Sequence, residues 1–167
     1  VQPTPEPPGR PIAPDADDGR WRGAKGSGTS PFEPALSWHA RVLAVKELQP
    51  GDSVSYHGTY VAKERERIAV LGVGYADGWP LALSNRGHVL LRGRPARGRG
   101  AVCMDLTMVD ATPHPDLRAG EIATLIGEQG GQWRTAEDVA EEAGENAYSI
   151  LTRIGPRVRR RVKEASE

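Results

Sequence analysis

Leu36-Ser37-Trp38-His39-Ala40-Arg41-Val42-Leu43-Ala44 is a run in which every second side chain is apolar. A two-residue period of this kind is typical of a β-strand with one buried face. The next residues, Gln49-Pro50-Gly51-Asp52, are turn formers. We therefore predict a mainly β fold, a compact β barrel or sandwich, whose later strands are cut by Gly, Pro and Asn and cover Ser53–Tyr56, Arg67–Val73, His88–Arg92, Ala101–Val109 and Ile122–Ile126.

One short segment, Thr135–Gly144, has the pattern of a helix. Thr135 can accept hydrogen bonds from first-turn amides, and the acidic residues after it favour the positive end of the helix dipole. Gly144 suits the left-handed position that ends a helix. We predict one short helix here, with a further helical turn or two over Ala147–Arg153.

Composition separates the first 34 residues from the rest of the chain. Eight of the 14 prolines lie there, together with several glycines and almost no aliphatic side chains. Such a segment buries too little apolar surface to offset its chain entropy. We predict a disordered or extended arm over residues 1–34, and the total length of 167 residues favours a single core after it.

Charge and cysteine content exclude several classes of protein. Lysine plus arginine and aspartate plus glutamate number 22 each, so the electrostatic footprint of a nucleic-acid or membrane-surface binder is missing. Cys103 is the only cysteine, which excludes a disulfide-stapled secreted domain. With no apolar run long enough to cross a bilayer, we expect a soluble cytoplasmic protein that binds neither nucleic acid nor membrane.

The common catalytic templates are mostly missing. The four histidines are dispersed without the spacing of a zinc motif, so we expect no metal. Gly72-Val73-Gly74 matches only part of a phosphate-binding turn. Cys103 lies in the apolar run Ala101-Val102-Cys103-Met104, where a buried inert thiol is favoured over a nucleophile.

Tyrosine placement is unusual for a chain poor in aromatic residues. Tyr56, Tyr60 and Tyr75 fall within twenty residues, each near a glycine. Glycines permit sharp turns that leave an aromatic ring accessible at the surface. Tyrosines are also common in strands, where the ring packs and the hydroxyl stays wet. Residue chemistry alone leaves both a site and ordinary packing open.

Four motifs resemble, in order, those of the C-terminal domain of alanine racemase. The resemblance covers residues 35 to 162 and leaves 163–167 as a tail. It rests on Val54-Ser55-Tyr56-His57-Gly58-Thr59-Tyr60, Gly74-Tyr75-Ala76-Asp77-Gly78-Trp79-Pro80 with Leu83-Ser84-Asn85-Arg86-Gly87, Cys103-Met104-Asp105-Leu106-Thr107-Met108-Val109-Asp110, and Tyr148 with Leu151-Thr152-Arg153-Ile154-Gly155-Pro156-Arg157-Val158.

The resemblance implies an isomerase that interconverts L-alanine and D-alanine for peptidoglycan precursors. In that family a barrel carrying pyridoxal phosphate precedes the β domain, and two subunits pack head to tail so that each site combines both domains. Tyr56 matches the catalytic tyrosine, one of two bases on opposite faces of the substrate, and the other base is the cofactor lysine. Tyr75 and Met104 match substrate-binding positions, and Tyr148 matches a tyrosine that contacts the cofactor phosphate.

This sequence departs from the family pattern at several positions. His57 stands where a glycine usually follows the catalytic tyrosine, Arg159 replaces a proline, and Leu81 and Ala101 replace arginines. The residues before the β domain are too few for a barrel of roughly 200 residues, so we expect pyridoxal phosphate to bind only in complex with a barrel domain. Three interpretations stay open, namely half of a split enzyme, an inactive truncated fragment, or a non-catalytic interaction domain.

Overall fold

Antiparallel pairing organises the computed structural model, which describes residues 34–162. Its strands and helices, numbered in chain order, are β1 (Trp38–Leu48), β2 (Ser53–Val54), β3 (Tyr60–Val61), β4 (Glu66–Leu71), β5 (His88–Leu91), β6 (Arg94–Arg97), β7 (Thr107–Asp110), β8 (Ile122–Gln129), β9 (Gln132–Arg134), α1 (Ala136–Ala143) and α2 (Ala147–Arg153).

Seven of the strands form the main sheet. Along the sheet the order is β6-β5-β8-β1-β4-β7, with β9 paired to β8, while β2 and β3 form a separate hairpin. The strand path is open, but a single bridge between Gly98 and Val109 joins its two edges. The prediction of a mainly β fold is confirmed, and the sheet curls without closing through a continuous ladder.

The long strand β1 lies at the centre of the sheet and pairs with β4 and β8. Trp38, Ala40 and Val42 are buried and alternate with exposed neighbours, as the two-residue period predicts. The register then shifts between Val42 and Ala44, and Leu43 at this irregularity is exposed. The alternation stops there because an extra residue reverses the faces of the strand.

The main core lies between the sheet and the segments that cover it. Trp79 packs edge-on against Trp38 from β1, with ring centroids 5.8 Å apart and planes at 80°. A second, smaller apolar cluster lies beneath the β2–β3 hairpin and comprises Leu48, Val54, Ala62, Ile68 and Met108. The hairpin therefore has its own apolar support on the sheet.

The predicted helix is present as α1. Thr135 accepts a hydrogen bond from the Asp138 amide, the Asp138 side chain accepts one from the Thr135 amide, and Gly144 ends the helix with φ of 71°. The expected further turns form a second short helix, α2, capped by the Asn146 side chain. Neither α1 nor α2, the helices of residues 34–162, could span a lipid bilayer.

The strand predicted over Ala101–Val109 is only partly correct, because β7 begins at Thr107. The preceding residues are irregular because their polar groups bond to other loops. Val102 N–H donates to Ser84 Oγ at 3.0 Å, and the Cys103 and Met104 carbonyls accept from a turn near residue 75. The sequence did not predict β3, β6 or β9, which have two to four residues each.

The predicted arm at residues 1–34 and the predicted tail at 163–167 fall almost wholly outside the described residues, which begin at residue 34.

Candidate functional site

Tyr56 lies on a 3-10 turn, Tyr56–Gly58, between β2 and β3. The predicted strand over Ser53–Tyr56 ends at Val54, because Ser55 adopts a positive φ of 69° that no strand continues. His57 and Gly58 also have positive φ values, 61° and 57°. The phenol side chain of Tyr56 is 69% exposed at the apex of this turn and is therefore accessible to a molecule outside the domain.

Ser55 connects the Tyr56 turn to the segment that precedes β7. Its hydroxyl donates to the Ala101 carbonyl at 2.9 Å, and it lies 3.4 Å from the Cys103 sulfur. The Cys103 thiol is half-buried within this contact. The Tyr56 turn is thus tied to the residues immediately before Met104.

The structure also brings the Tyr75 turn against Met104. Tyr75 N–H donates to the Cys103 carbonyl and Ala76 N–H to the Met104 carbonyl, both at 3.0 Å. A Cβ atom on Gly74 would lie 2.2 Å from the Cys103 oxygen, so only glycine permits this approach. Tyr75 and Met104 are both exposed beside this junction. Within residues 34–162 the Met104 amide donates no hydrogen bond, so it is available to an outside acceptor.

Tyr148 lies on α2, whose C-terminal end contacts the other side of the Tyr75 turn. Gly155 N–H donates to the Asp77 carbonyl at 3.0 Å, and Arg157 bonds Asp105 at 2.5 Å and lies 3.4 Å from Asp77. The Tyr148 side chain is 81% exposed. The helix is anchored to the site, but the Tyr148 phenol is not brought into contact with Tyr56, Tyr75 or Met104.

Beneath the Tyr56 hairpin lies a charged cluster that the sequence analysis did not find. The Tyr60 hydroxyl donates to the Glu66 carboxylate, with both oxygens at 2.6 Å, and Arg99 lies 5.0 Å from the Tyr60 ring centroid and 2.7 Å from Asp110. Burial and the bond to Glu66 raise the pKa of Tyr60 to about 12. Tyr60 and Asp110 belong to motifs found in the sequence, whereas Glu66 and Arg99 carried no local signal.

Comparison with known proteins decides the family. The family described as "Alanine racemase, C-terminal domain" matches residues 35–162. The chain belongs to this family. An alanine racemase from Halothermothrix orenii is 50% identical to this alanine racemase C-terminal domain over 132 residues, which are 79% of the chain and 35% of that protein.

Solved alanine racemases share the fold. The enzyme from Bacillus anthracis with bound L-Ala-P matches with a TM-score of 0.70 and 40% identity, over 75% of this chain and 32% of that one. The enzyme from Bartonella henselae with covalently bound pyridoxal phosphate matches with a TM-score of 0.72 and 31% identity, over 79% and 36%. The alanine racemase C-terminal domain thus spans about one third of the proteins that it matches.

The groups that this domain offers to a cofactor are few. Lys46 and Lys63, the lysines among the described residues, are exposed on β1 and just after β3. Tyr148 offers a single phenol. Among residues 34–162 no three His, Cys, Asp or Glu side chains are grouped so that they could hold a metal ion. The described residues therefore present exposed tyrosines and a Met104 amide that donates no hydrogen bond within residues 34–162.

Proposed function

We propose that this chain is the tyrosine-bearing part of an alanine racemase and that Tyr56 is one of the two bases that invert the α-carbon of alanine. One observation carries the proposal: an exposed phenol lies on a turn that Ser55 fixes to the Met104 segment. Inversion needs a proton removed from one face of the α-carbon and another returned to the opposite face. A base held rigidly at one face meets half of that requirement.

Each of the other residues has a defined part in this proposal. The free Met104 amide would donate a hydrogen bond to the substrate carboxylate, and Tyr75 beside it would narrow the entrance. The Tyr148 phenol would donate to the phosphate of pyridoxal phosphate. That cofactor, when bound, supplies an electron sink for the α-carbanion. The Tyr56 oxygen would accept the α-proton from one enantiomer and, in the reverse direction, return a proton to that same face. The second base would donate and accept the proton on the opposite face, which belongs to the other enantiomer.

The remaining half of the site must come from another domain. This chain spans about one third of its relatives, and the side chains of Tyr56, Tyr75, Met104 and Tyr148 are exposed. We propose that a barrel carrying pyridoxal phosphate and its lysine, in a head-to-tail assembly of subunits, covers these side chains. The D-alanine formed in the cytoplasm would then serve the synthesis of peptidoglycan precursors.

Complementation tests this proposal. The chain is combined with a separately expressed racemase barrel domain, and D-alanine formed from L-alanine is measured. We expect activity that neither component shows alone. Tyr56→Phe should lower it by at least about a hundredfold, because a general base contributes about 10²–10⁴ to a rate. Tyr56→Phe activity equal to that of the unmodified chain would refute the assigned role.

Tyr60→Phe is the matched control for chemistry within the same hairpin, because its hydroxyl bonds Glu66 and points to the sheet. It should keep most of the activity. The competing function, a non-catalytic interaction domain, is favoured by the exposed apolar side chain of Leu81 in place of an arginine. An assembly that forms with the barrel domain and yields no D-alanine would support that alternative.

A further inference from the structure

The Tyr56 turn contains backbone that is costly to maintain. Ser55 and His57, on either side of Tyr56, both have positive φ values, although neither is glycine. Residues with side chains in this region are uncommon, and such strain persists only where surrounding contacts hold it. The contacts that hold this turn are therefore part of how Tyr56 is presented.

Ser55 supplies such a contact. Its hydroxyl donates to the Ala101 carbonyl at 2.9 Å and lies 3.4 Å from the Cys103 sulfur. The side chain of Ser55 also needs space, because a Cβ atom on Gly100 would lie 2.7 Å from the Ser55 Cβ. Gly100 is buried with φ of 87°. Ser55 thus packs against Gly100 and donates a hydrogen bond to the carbonyl of the next residue, Ala101.

We propose that Ser55 is a positioning residue whose hydroxyl holds the Tyr56 turn in place against the Met104 segment. The consequence for catalysis rests on the function proposed above. A phenol that acts on the α-carbon must keep a fixed distance to the group that binds the carboxylate of the same substrate. Displacement of a reacting group by about 1 Å can lower the rate about a hundredfold. Loss of the Ser55 hydrogen bond, which would let the Tyr56 phenol shift, should therefore lower the turnover rate.

Ser84 provides a matched control, since its hydroxyl accepts from Val102 N–H at 3.0 Å and donates to the Leu81 carbonyl at 2.6 Å. It is a half-buried serine whose hydroxyl bonds the same segment without bonding the Tyr56 turn. Ser84→Ala should loosen residues 101–104 and leave the Tyr56 turn unchanged. Ser55→Ala should loosen both segments.

Amide hydrogen exchange of the 167-residue chain measures this coupling without a cofactor or partner. The reporters are Gly58 N–H, which donates to the Ser55 carbonyl, and Cys103 N–H, which donates to the Leu106 carbonyl. In Ser55→Ala we expect exchange at both to rise by about fivefold or more, the effect of losing one hydrogen bond. In Ser84→Ala only Cys103 should respond. A Gly58 rate in Ser55→Ala no higher than in Ser84→Ala would overturn the coupling.

Ser55→Gly separates the hydroxyl from the backbone shape. Glycine tolerates the positive φ without strain, so this variant folds even if Ser55→Ala does not. If the hydroxyl couples the segments, Ser55→Gly should raise exchange at Gly58 and Cys103 as the alanine variant does. Protection equal to that of the unmodified chain would show that backbone shape alone is sufficient and would overturn the proposal.

Kinetics of the chain paired with its barrel domain test the positioning role itself. Ser55→Ala should lower kcat by about tenfold to a hundredfold with little change in KM. The α-deuterium isotope effect should rise for the enantiomer from which Tyr56 takes the proton and not for the other, a result that general loosening does not give. An unchanged kcat, where Tyr56→Phe is inactive, would refute positioning by Ser55 and leave the proposed function intact. An active Tyr56→Phe would refute the function and leave the exchange result to decide the coupling.

Discussion

Gly74 lies where the backbone of another segment occupies the space that a side chain would need. A Cβ atom there would lie 2.2 Å from the Cys103 oxygen and 2.3 Å from the Met104 oxygen. Backbone cannot move aside as a flexible side chain can. We expect Gly74→Ala to lower the free energy of unfolding by about 1–3 kcal/mol, as overpacking does, measured by urea denaturation, and to displace the Met104 amide.

Gly72 gives a control two residues earlier. The three atoms nearest to a Cβ atom on Gly72 all belong to the Leu43 side chain, at 3.2–3.3 Å, and Leu43 is half exposed and can rotate away. Gly72→Ala should therefore change stability by less than about 1 kcal/mol. If Gly74→Ala and Gly72→Ala lowered the free energy of unfolding equally, the close contact between residue 74 and the Met104 segment would not be the reason for glycine at position 74.

Tyr60 contributes to stability through a half-buried hydrogen bond to Glu66. Its phenol donates to Glu66, and burial together with this bond raises its pKa from 10.0 to about 12. In the unfolded chain the phenol loses its proton near pH 10, so the contribution to stability is complete below pH 10 and is lost as the pH rises towards 12.

Tyr60→Phe should lower the free energy of unfolding at pH 7 by about 1 kcal/mol, the typical contribution of one partly exposed hydrogen bond. The variant should also lose less stability than the unmodified chain as the pH rises from 10 to 12. Thermal unfolding between pH 7 and 12 measures both effects. Tyr148→Phe is the control, because that side chain is almost fully exposed. A steeper alkaline loss in Tyr60→Phe than in the unmodified chain would contradict the sign of this linkage.

At the scale of elements, α1 is fixed to the sheet by a nearly buried ion pair. Arg134, at the end of β9 and 1% exposed, donates two hydrogen bonds to Glu142 on α1. The His88 ring, on β5, lies 3.3 Å from the same carboxylate. Burial opposes the charge of Glu142, but the bonds from Arg134 and His88 outweigh it and lower its pKa to about 2.

The acid stability of the domain should depend on this pair. The carboxyl ionises near 4.5 when unfolded and at about 2 when folded, so its contribution is complete above pH 4.5 and is lost as the pH falls towards 2. Glu142→Gln should lower the free energy of unfolding at pH 7 by about 3 kcal/mol, because it leaves Arg134 buried without a counter-charge. The variant should also lose less of its free energy of unfolding between pH 4.5 and pH 2. Unfolding followed by circular dichroism at several pH values measures this loss.

The neighbouring Glu141 supplies the control, since it lies on the exposed face of α1. Glu141→Gln should shift stability by no more than about 0.5 kcal/mol. A Glu142→Gln variant that loses stability on acidification as steeply as the unmodified chain would show that another carboxyl dominates.

The local sequence pattern predicted some helices and strands correctly and others incorrectly. The caps at Thr135 and Gly144 and the alternation over Trp38–Val42 depend on neighbours in sequence, so both could be predicted. The irregular path of residues 101–106 could not, because the apolar run there favours a strand locally while Ser55, Ser84 and the Tyr75 turn take its polar groups. Tertiary hydrogen bonds override local propensity at such points.

At the scale of the whole molecule, strand order and the assembly of the site depend on contacts between residues far apart in sequence. The assignment of Tyr56, Tyr75 and Met104 to a site stays a prediction of the motifs. The structure brings the Tyr56 turn and the Tyr75 turn to the segment that contains Met104. The half-buried Glu66–Tyr60 bond and the Ser55–Ala101 bond had no sequence signal. Each joins a side chain to a partner that only the fold determines.

The whole-molecule prediction concerns pyridoxal phosphate and the isolated chain. Tight capture of this cofactor needs several convergent donors and a covalent bond to one lysine. The chain has four lysines, of which Lys46 and Lys63 are exposed on the described domain. Neither lies in a context that resembles the cofactor lysine of the family. We expect incubation with the cofactor, borohydride reduction and peptide mass spectrometry to show sparse labelling spread over several lysines.

Addition of the barrel domain should change this outcome without labelling this chain. The cofactor should then be retained, with its stoichiometric adduct on a lysine of the barrel, because the exposed tyrosines of this domain supply contacts rather than the covalent bond. If Tyr148 donates to the phosphate as proposed, Tyr148→Phe should weaken retention in the assembly by severalfold, the effect of losing one hydrogen bond. It should leave the sparse labelling of the isolated chain unchanged. A stoichiometric adduct on Lys46 or Lys63 of the chain alone would instead show that this domain holds the cofactor itself, and the division of the site between two domains would be wrong.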